Sequence, residues 1–201
     1  MTRKRTHSPL PAPPLGECPN LVVSEGFGSN EALPQRGSGE GASLYLSLGS
    51  NLGDREQTLH RAIALIGERI GTVQRVSSFI ETEPWGFQSE HPFLNAACKV
   101  LTKLSPMQCL EATQQIEHEL GRRTKSRDGI YHDRPIDIDL LLYDDLHLST
   151  PTLTLPHPRM LERDFVMIPL REIMGDAEAL LARHHDEAQA CDEEGEHQPH
   201  Q

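Results

Sequence analysis

From residue 43 onward the chain alternates apolar and polar positions. In SLYLSLG (43–49), Leu44, Leu46 and Leu48 fall on one face, the period-two signature of a strand. The period then changes. Leu59, Ile63 and Ile66 recur at helical spacing, and Asp54 followed by Gln57 has the form of a capping box opening that helix. TVQRVSSFI (72–80) and FLNAACKVL (93–101) predict two more strands, joined by a loop containing Pro and Gly. SPMQ (105–108) starts a second helix, with Ser105 as cap, Pro106 in the first turn and Gln108 closing the box. That helix runs through Leu110, Ile116 and Leu120 and stops at Gly121, a residue suited to a left-handed cap. DRPIDIDLLLYD (133–144) returns to period two. Ile136, Ile138 and Leu140 lie on one face, Asp137 and Asp139 on the other. TLTLP (152–156) predicts a short strand, and RDFVMIPLREIM (163–174) and DAEALLARHH (176–185) two C-terminal helices. The order β-α-β-β-α-β is that of the split βαβ arrangement. The expected fold is therefore α+β, a ferredoxin-like βαββαβ sandwich with extra C-terminal helices.

Outside this span the pattern stops. Residues 1–41 are rich in Pro and Gly without sustained periodicity and are expected to be a disordered extension. Residues 185–201 form an acidic, His-rich tail, expected to be disordered too, which leaves 42–184 as the domain. The net charge of −11 over 201 residues argues against generic nucleic-acid or membrane binding. No apolar run approaches the ~20 residues that cross a bilayer, and the basic start lacks the apolar segment of a secretory signal. A cytoplasmic protein, monomeric or weakly dimeric, is the expectation. Cys18, Cys98, Cys109 and Cys191 show no metal-like or redox-like spacing, so Cys98 and Cys109, set among apolar residues, read as buried free thiols.

Charge changes the picture at one place. Two carboxylates two residues apart on a strand stand roughly 7 Å apart on the same face, and their repulsion needs a positive partner. The upstream basic residues do not obviously reach between Asp137 and Asp139, whereas an oxygen-seeking divalent cation would; Mg²⁺ takes one or two carboxylates and completes its shell with waters and phosphates. The loop RRTKSRDGIYHDR (122–134) carries Arg122, Arg123, Lys125, Arg127 and Arg134, forked or flexible donors suited to a polyphosphate, although a solvated charge run would look the same. In LGSNLGD (48–54), Gly49, Ser50 and Asn51 sit at a strand end before a helix, where backbone N–H groups can meet an anion or a polar ring. Asn95 in FLNAA is inward-facing if Phe93 is, and an amide there suits the edge of a heterocycle.

Taken together, LGSNLGD, FLNAA, TQQIEHELGR, DRPIDIDLLLYD and LPHPRMLERDFVMIPL occur in an order that resembles the 6-hydroxymethyl-7,8-dihydropterin pyrophosphokinases, over residues 43 to about 173. The resemblance implies transfer of the β,γ-pyrophosphate of ATP to the hydroxymethyl group of the dihydropterin, with AMP and the pterin diphosphate as products, in tetrahydrofolate biosynthesis. It implies two Mg²⁺ ions on Asp137 and Asp139, with Arg122 and Arg134 on the phosphates; these four form the expected catalytic set. It further implies a pterin site of Gly49, Thr82, Pro84, Trp85, Phe93, Asn95 and Phe165, in which the two phenylalanines sandwich the ring. ATP contacts fall on Gln114, Glu117, Arg122, Arg134, Leu140, Thr154, His157 and Arg163. The implied partners are ATP and the dihydropterin, without nucleic acid or membrane. A ferredoxin-like RNA-binding module would want exposed aromatics and a basic face, which this chain lacks. A metal-dependent phosphohydrolase using the same aspartates is the other competing reading.

Overall fold

A computed structural model describes residues 41–86, 88–123 and 132–175. Its elements are β1 (Ala42–Ser50), α1 (Arg55–Arg69), β2 (Gly71–Val76), β3 (Ile80–Thr82), β4 (Phe93–Thr102), α2 (Pro106–Glu119), β5 (Asp137–Tyr143), β6 (Leu148–Ser149), β7 (Thr154–Leu155) and α3 (Asp164–Met174). The expected tails, the helix at 176–185, Cys18, Cys191, Lys125, Arg127 and Tyr131 lie outside the described residues.

The main sheet runs β2-β4-β1-β5, with β3 pairing the far end of β4, and every pairing is antiparallel. β4 thus lies between β1 and β2, and β1 between β4 and β5, so each helix connection bridges two strands separated by a third. The alternation read from sequence decides which layer each residue joins. Leu44, Leu46 and Leu48 of β1 join Leu59 and Ile66 of α1, Ile116 of α2, and Ile138 and Leu140 of β5 in one buried cluster. Tyr45 of β1, Ala97 of β4 and Leu141 and Leu142 of β5 join Val166, Met167, Leu170 and Ile173 of α3 in another, on the opposite face. The sheet is therefore covered on both sides. Each fully buried leucine contributes roughly 1.5–3 kcal/mol. Leu141 and Leu142 share a face because the β1–β5 register shifts at Tyr45/Leu46, a bulge that no binary pattern in LLLY announces.

The helix starts follow the sequence. Ser105 and Gln108 close both arms of a capping box at the head of α2, and Pro106 occupies the first turn. Asp54 accepts from the Gln57 N–H at 3.0 Å to open α1, which is one arm of the expected capping box and not both. Gly121 follows α2 at φ 97°, the left-handed conformation expected of it. Cys98 and Cys109 are buried free thiols, as expected.

The strand expected over 72–80 is instead two, β2 and β3, and the break has a local cause. The Ser77 hydroxyl accepts from the Ala97 N–H at 2.9 Å and donates to the Ser78 carbonyl, while the Ser78 N–H is taken by the Glu172 carboxylate at 3.0 Å. The Ser77 N–H still donates to the Ala97 carbonyl at 2.9 Å, but the Ser77 hydroxyl and an α3 carboxylate take the bonds that follow, so regular pairing with β4 lapses and resumes at Ile80. TLTLP contributes β7, which pairs with β6 in a two-stranded hairpin.

Candidate active site

The sheet register builds the site. Gly49 of β1 lies between Asp137 of β5 and Asn95 of β4, and Ser47 lies between Asp139 and Ala97. Because directly opposed antiparallel residues share a face, two rows of small or polar groups cross the sheet beside the α3 layer. They form the floor of a pocket walled by Thr82, Glu83, Trp85, Phe93, Arg134, Arg163 and Phe165, enclosing about 490 Å³ with its open mouth included.

Gly49 is required by close approach. A Cβ there would stand 2.9 Å from Asn95 Oδ1 and 3.6 Å from Phe93 Cδ1. The Asn95 amide leans into the space a side chain would take, and its Nδ2 donates to Thr82 Oγ1 at 2.8 Å. Asn95 is 3% exposed, and Phe93 is buried beside it, so the inward orientation that the sequence made conditional is realised.

The aspartates have distinct surroundings. Asp137 Oδ2 accepts from Arg134 Nη2 at 2.6 Å, while Oδ1 accepts from Arg122 Nη1. Upstream arginines, which the spacing did not obviously carry between the two aspartates, do reach one of them: the turn after α2 and the residues leading into β5 bring both guanidiniums onto Asp137. Asp139, one strand step deeper, is pushed up to about 7 by burial and then by the Asp137 charge, against the pull of Arg134 and Arg163. Two acids close together in a poorly solvated pocket resist ionising together.

Behind this pair, Glu117 of α2 accepts from Arg122 Nη1 and from the Ile138 N–H at 2.8 Å. Burial raises the Glu117 carboxyl while Arg122 opposes the rise. Burial also acts to lower Arg122, but Asp137 and Glu117 outweigh it and hold the guanidinium charged.

The aromatic faces carry cations as well. The Arg134 guanidinium carbon lies 5.3 Å from the centroid of Phe93, and that of Arg163 lies 4.8 Å from Trp85 and 5.7 Å from Phe165. Trp85 and Phe165 are themselves in a tilted contact at 6.4 Å. Arg163, assigned by resemblance to ATP, thus lies among the aromatic residues expected to hold the pterin.

The remaining expected nucleotide residues collect along the open edge of β5. Glu117 takes the Ile138 N–H, and the His157 N–H donates to the Leu141 carbonyl at 2.9 Å, so α2 and the segment after β7 flank that edge. Gln114 is half-buried on α2, Thr154 is exposed on β7, and Leu140 has its side chain in the core, leaving only its backbone for a ligand. Burial and then Arg163 push the His157 imidazole down to about 4, keeping it neutral. Pro84 lies between two pocket residues without lining the pocket.

Two lining residues were not anticipated. Ser47 was available from period two, being two residues before Gly49 on the same face; Glu83 carries no pattern that marks it. Asn51 also differs from expectation. Its backbone N–H donates to the Arg134 carbonyl at 3.2 Å and so is not presented to a ligand.

Fold and site define an α+β protein with an aromatic-walled cleft for a flat ligand, continuous with a row of acids and arginines suited to phosphate chemistry. A family model described as 7,8-dihydro-6-hydroxymethylpterin-pyrophosphokinase (HPPK) matches residues 45–175. A Porphyromonas gingivalis protein named 2-amino-4-hydroxy-6-hydroxymethyldihydropteridine pyrophosphokinase is 53% identical over 133 residues, spanning 66% of this chain and 90% of the relative. A Bacillus subtilis protein of the same name is 47% identical over 135 residues, spanning 67% and 79%. In fold, the chain is similar to an HPPK-DHPS protein crystallised with substrates, at a TM-score of 0.55 and 12% identity; the match covers 68% of this chain and 40% of that longer one. The chain belongs to the 7,8-dihydro-6-hydroxymethylpterin-pyrophosphokinase family.

Proposed function

We propose that this chain transfers pyrophosphate from ATP to 6-hydroxymethyl-7,8-dihydropterin, forming AMP and the pterin diphosphate on the route to folate, and that the pocket over β1, β4 and β5 is where it does so. The interleaved sheet order supports a ferredoxin-like assignment of the fold. The observation that carries the site is the juxtaposition, across Gly49, of the Asn95 amide with Asp137.

The pterin ring lies between Phe93 and Phe165, with Asn95 reading its edge and Thr82 orienting that amide. The 83–85 segment, with Trp85 at the mouth, covers it and excludes water. The nucleotide follows the open edge of β5, among Gln114, Glu117, Thr154 and His157 and the backbone of Leu140, so that its phosphates reach Arg122, Arg134 and Arg163. These guanidiniums, now spent on carboxylates and aromatic faces, have the forked geometry for phosphate oxygens.

Asp137 and Asp139 fit Mg²⁺ by donor chemistry: two carboxylates on one strand face, the deeper one burdened by its neighbour's charge, open to a pocket that admits phosphate. Bound there, with two ions expected, magnesium would neutralise charge on the phosphate chain. The protein's own part is alignment. It holds the pterin alcohol in line with the β-phosphorus, spreads developing charge over Arg122 and Arg134, and keeps water away, so no side-chain nucleophile is required. The protein acts in the cytoplasm, as a monomer or weak dimer; no helix among the described residues is long and apolar enough to cross a membrane.

AMP release tests the reading. With ATP, Mg²⁺ and the dihydropterin, AMP forms; without the pterin it does not. D137N and D139N each lower the rate by on the order of 100-fold or more while keeping the wild-type far-UV spectrum. Phosphate release independent of pterin would favour a phosphohydrolase, and wild-type rates in both variants would remove the aspartates from the chemistry.

A further inference from the structure

Asn51 is 3% exposed, lies just past β1, and does not line the pocket. Its side chain nonetheless makes three hydrogen bonds to two separate loops. Oδ1 accepts from the Arg134 N–H at 2.8 Å; Nδ2 donates to Asp133 Oδ1 at 2.7 Å and to the His91 carbonyl at 3.2 Å. Its backbone N–H donates to the Arg134 carbonyl at 3.2 Å, so both backbone polar groups of residue 134 are held by one residue. The neighbourhood continues the pattern. Ser89 Oγ accepts from the His91 N–H at 3.1 Å, and the neighbouring Arg55 Nη1 donates to the Pro92 carbonyl at 2.7 Å. A Ser89 hydrogen bond and then the Asn51 bond hold the Asp133 carboxyl below its ordinary range.

The two loops tied together have different duties. Residues 88–92 lead into β4, and residues 132–136 lead into β5. Arg134 is the residue they share in effect, because its guanidinium reaches Asp137 and the face of Phe93. An arginine on a loop has several rotatable bonds between backbone and charge, and a shift of about 1 Å at its Cα is enough to misalign a forked donor. A backbone clamp removes that freedom at its root.

We propose that Asn51 is a positioning residue for pyrophosphate transfer: by clamping the Arg134 backbone and joining it to the His91 loop, it sets the Arg134 guanidinium against Asp137 and keeps the pterin and phosphate loops in register. The inference rests on Arg134 acting at the phosphates, as in the reading above. Asn51 touches neither substrate. Its removal frees Arg134, lowering kcat more than it raises the KM for either substrate.

A double-mutant cycle on the full chain tests this, with AMP release as the readout and thermal unfolding as the control. N51A is expected to lower kcat at least tenfold. R134A is expected to lower it further, and N51A/R134A to match R134A alone, because Asn51 has nothing left to position. A second pair guards against a folding defect. N51D sets a carboxylate oxygen against both the Asp133 carboxylate and the His91 carbonyl and should slow the enzyme, while N51D/D133N restores the bond between positions 51 and 133 beside an intact acceptor for the Arg134 N–H and should recover part of the rate, the bond to His91 staying lost. Losses that multiply in N51A/R134A, with R134A itself slow, overturn the positioning role and leave the Arg134 assignment standing. A wild-type rate in R134A overturns both. Wild-type kcat in N51A, or no recovery in N51D/D133N, also rejects the clamp.

Discussion

At Gly49 the site depends on what is missing. The Asn95 amide oxygen stands only 2.9 Å from where a β-carbon would be, and its amide is held there by Thr82. G49A is therefore expected to displace that amide and not to unfold the sheet. It should raise the KM for the dihydropterin about tenfold, the scale of one misplaced buried hydrogen bond, with little change in the KM for ATP; titrating each substrate in the AMP assay separates the two. His157 gives a pH signature. Its folded-state pKa, pushed down to about 4 by burial and Arg163, lies below the ordinary 6.5. The unfolded chain thus binds more protons between these values. Stability from this group is fully present above about 6.5 and is lost as pH falls toward 4. Urea unfolding at pH 7.5, 6 and 5 should show that loss, and H157Q should make the slope shallower.

Helix α2 carries its own start and delivers a side chain at its far end. Ser105 and Gln108 satisfy each other's backbone donors at the first turn, and three turns on Glu117 receives the Ile138 N–H and Arg122. S105A is expected to cost about 1 kcal/mol of stability, read as a lower urea midpoint, while AMP formation at 25 °C stays near wild type because the cap is remote from the aspartates. R122A is expected to behave differently. It strips a part-buried partner from both Glu117 and Asp137, so it should lose stability, by less than the roughly 3–5 kcal/mol of a fully buried pair, and rate together. The caps of α1 and α2 and the Asp137/Asp139 face were legible because they depend on spacings of three and two residues. The break at Ser77–Ser78 was not. It needs Glu172 of α3, 94 residues away, and no window along the chain contains both.

On the scale of the molecule, the sheet is sealed by α1 and α2 on one face and by α3 on the other. Cys98 on β4 and Cys109 on α2 report on that seal. Burial pushes their thiols up to about 12 and about 11, so at pH 8 almost no thiolate is present. Native protein is expected to leave both unalkylated by iodoacetamide over an hour, with labelling at both once urea passes the unfolding midpoint; mass spectrometry of peptides resolves them. Rapid native labelling of Cys98 would mean that the α1 and α2 layer opens locally.

Period and spacing alone determined the order of the main strands and helices, apart from the break between β2 and β3 and the short β6, together with the caps, the buried leucine face of β1 and the placing of Asp137 and Asp139 on one side of β5. All of these are set by the pitch of the backbone within a few residues. The five motifs in order were enough to point to the family. Only the folded chain decided that Arg122 and Arg134 reach Asp137, that Arg163 lies over Trp85 and Phe165, and that Asn51 holds residue 134 from 83 positions away. A guanidinium's destination is set by which loops the sheet register brings together, and that register exists only once strands distant in sequence have paired.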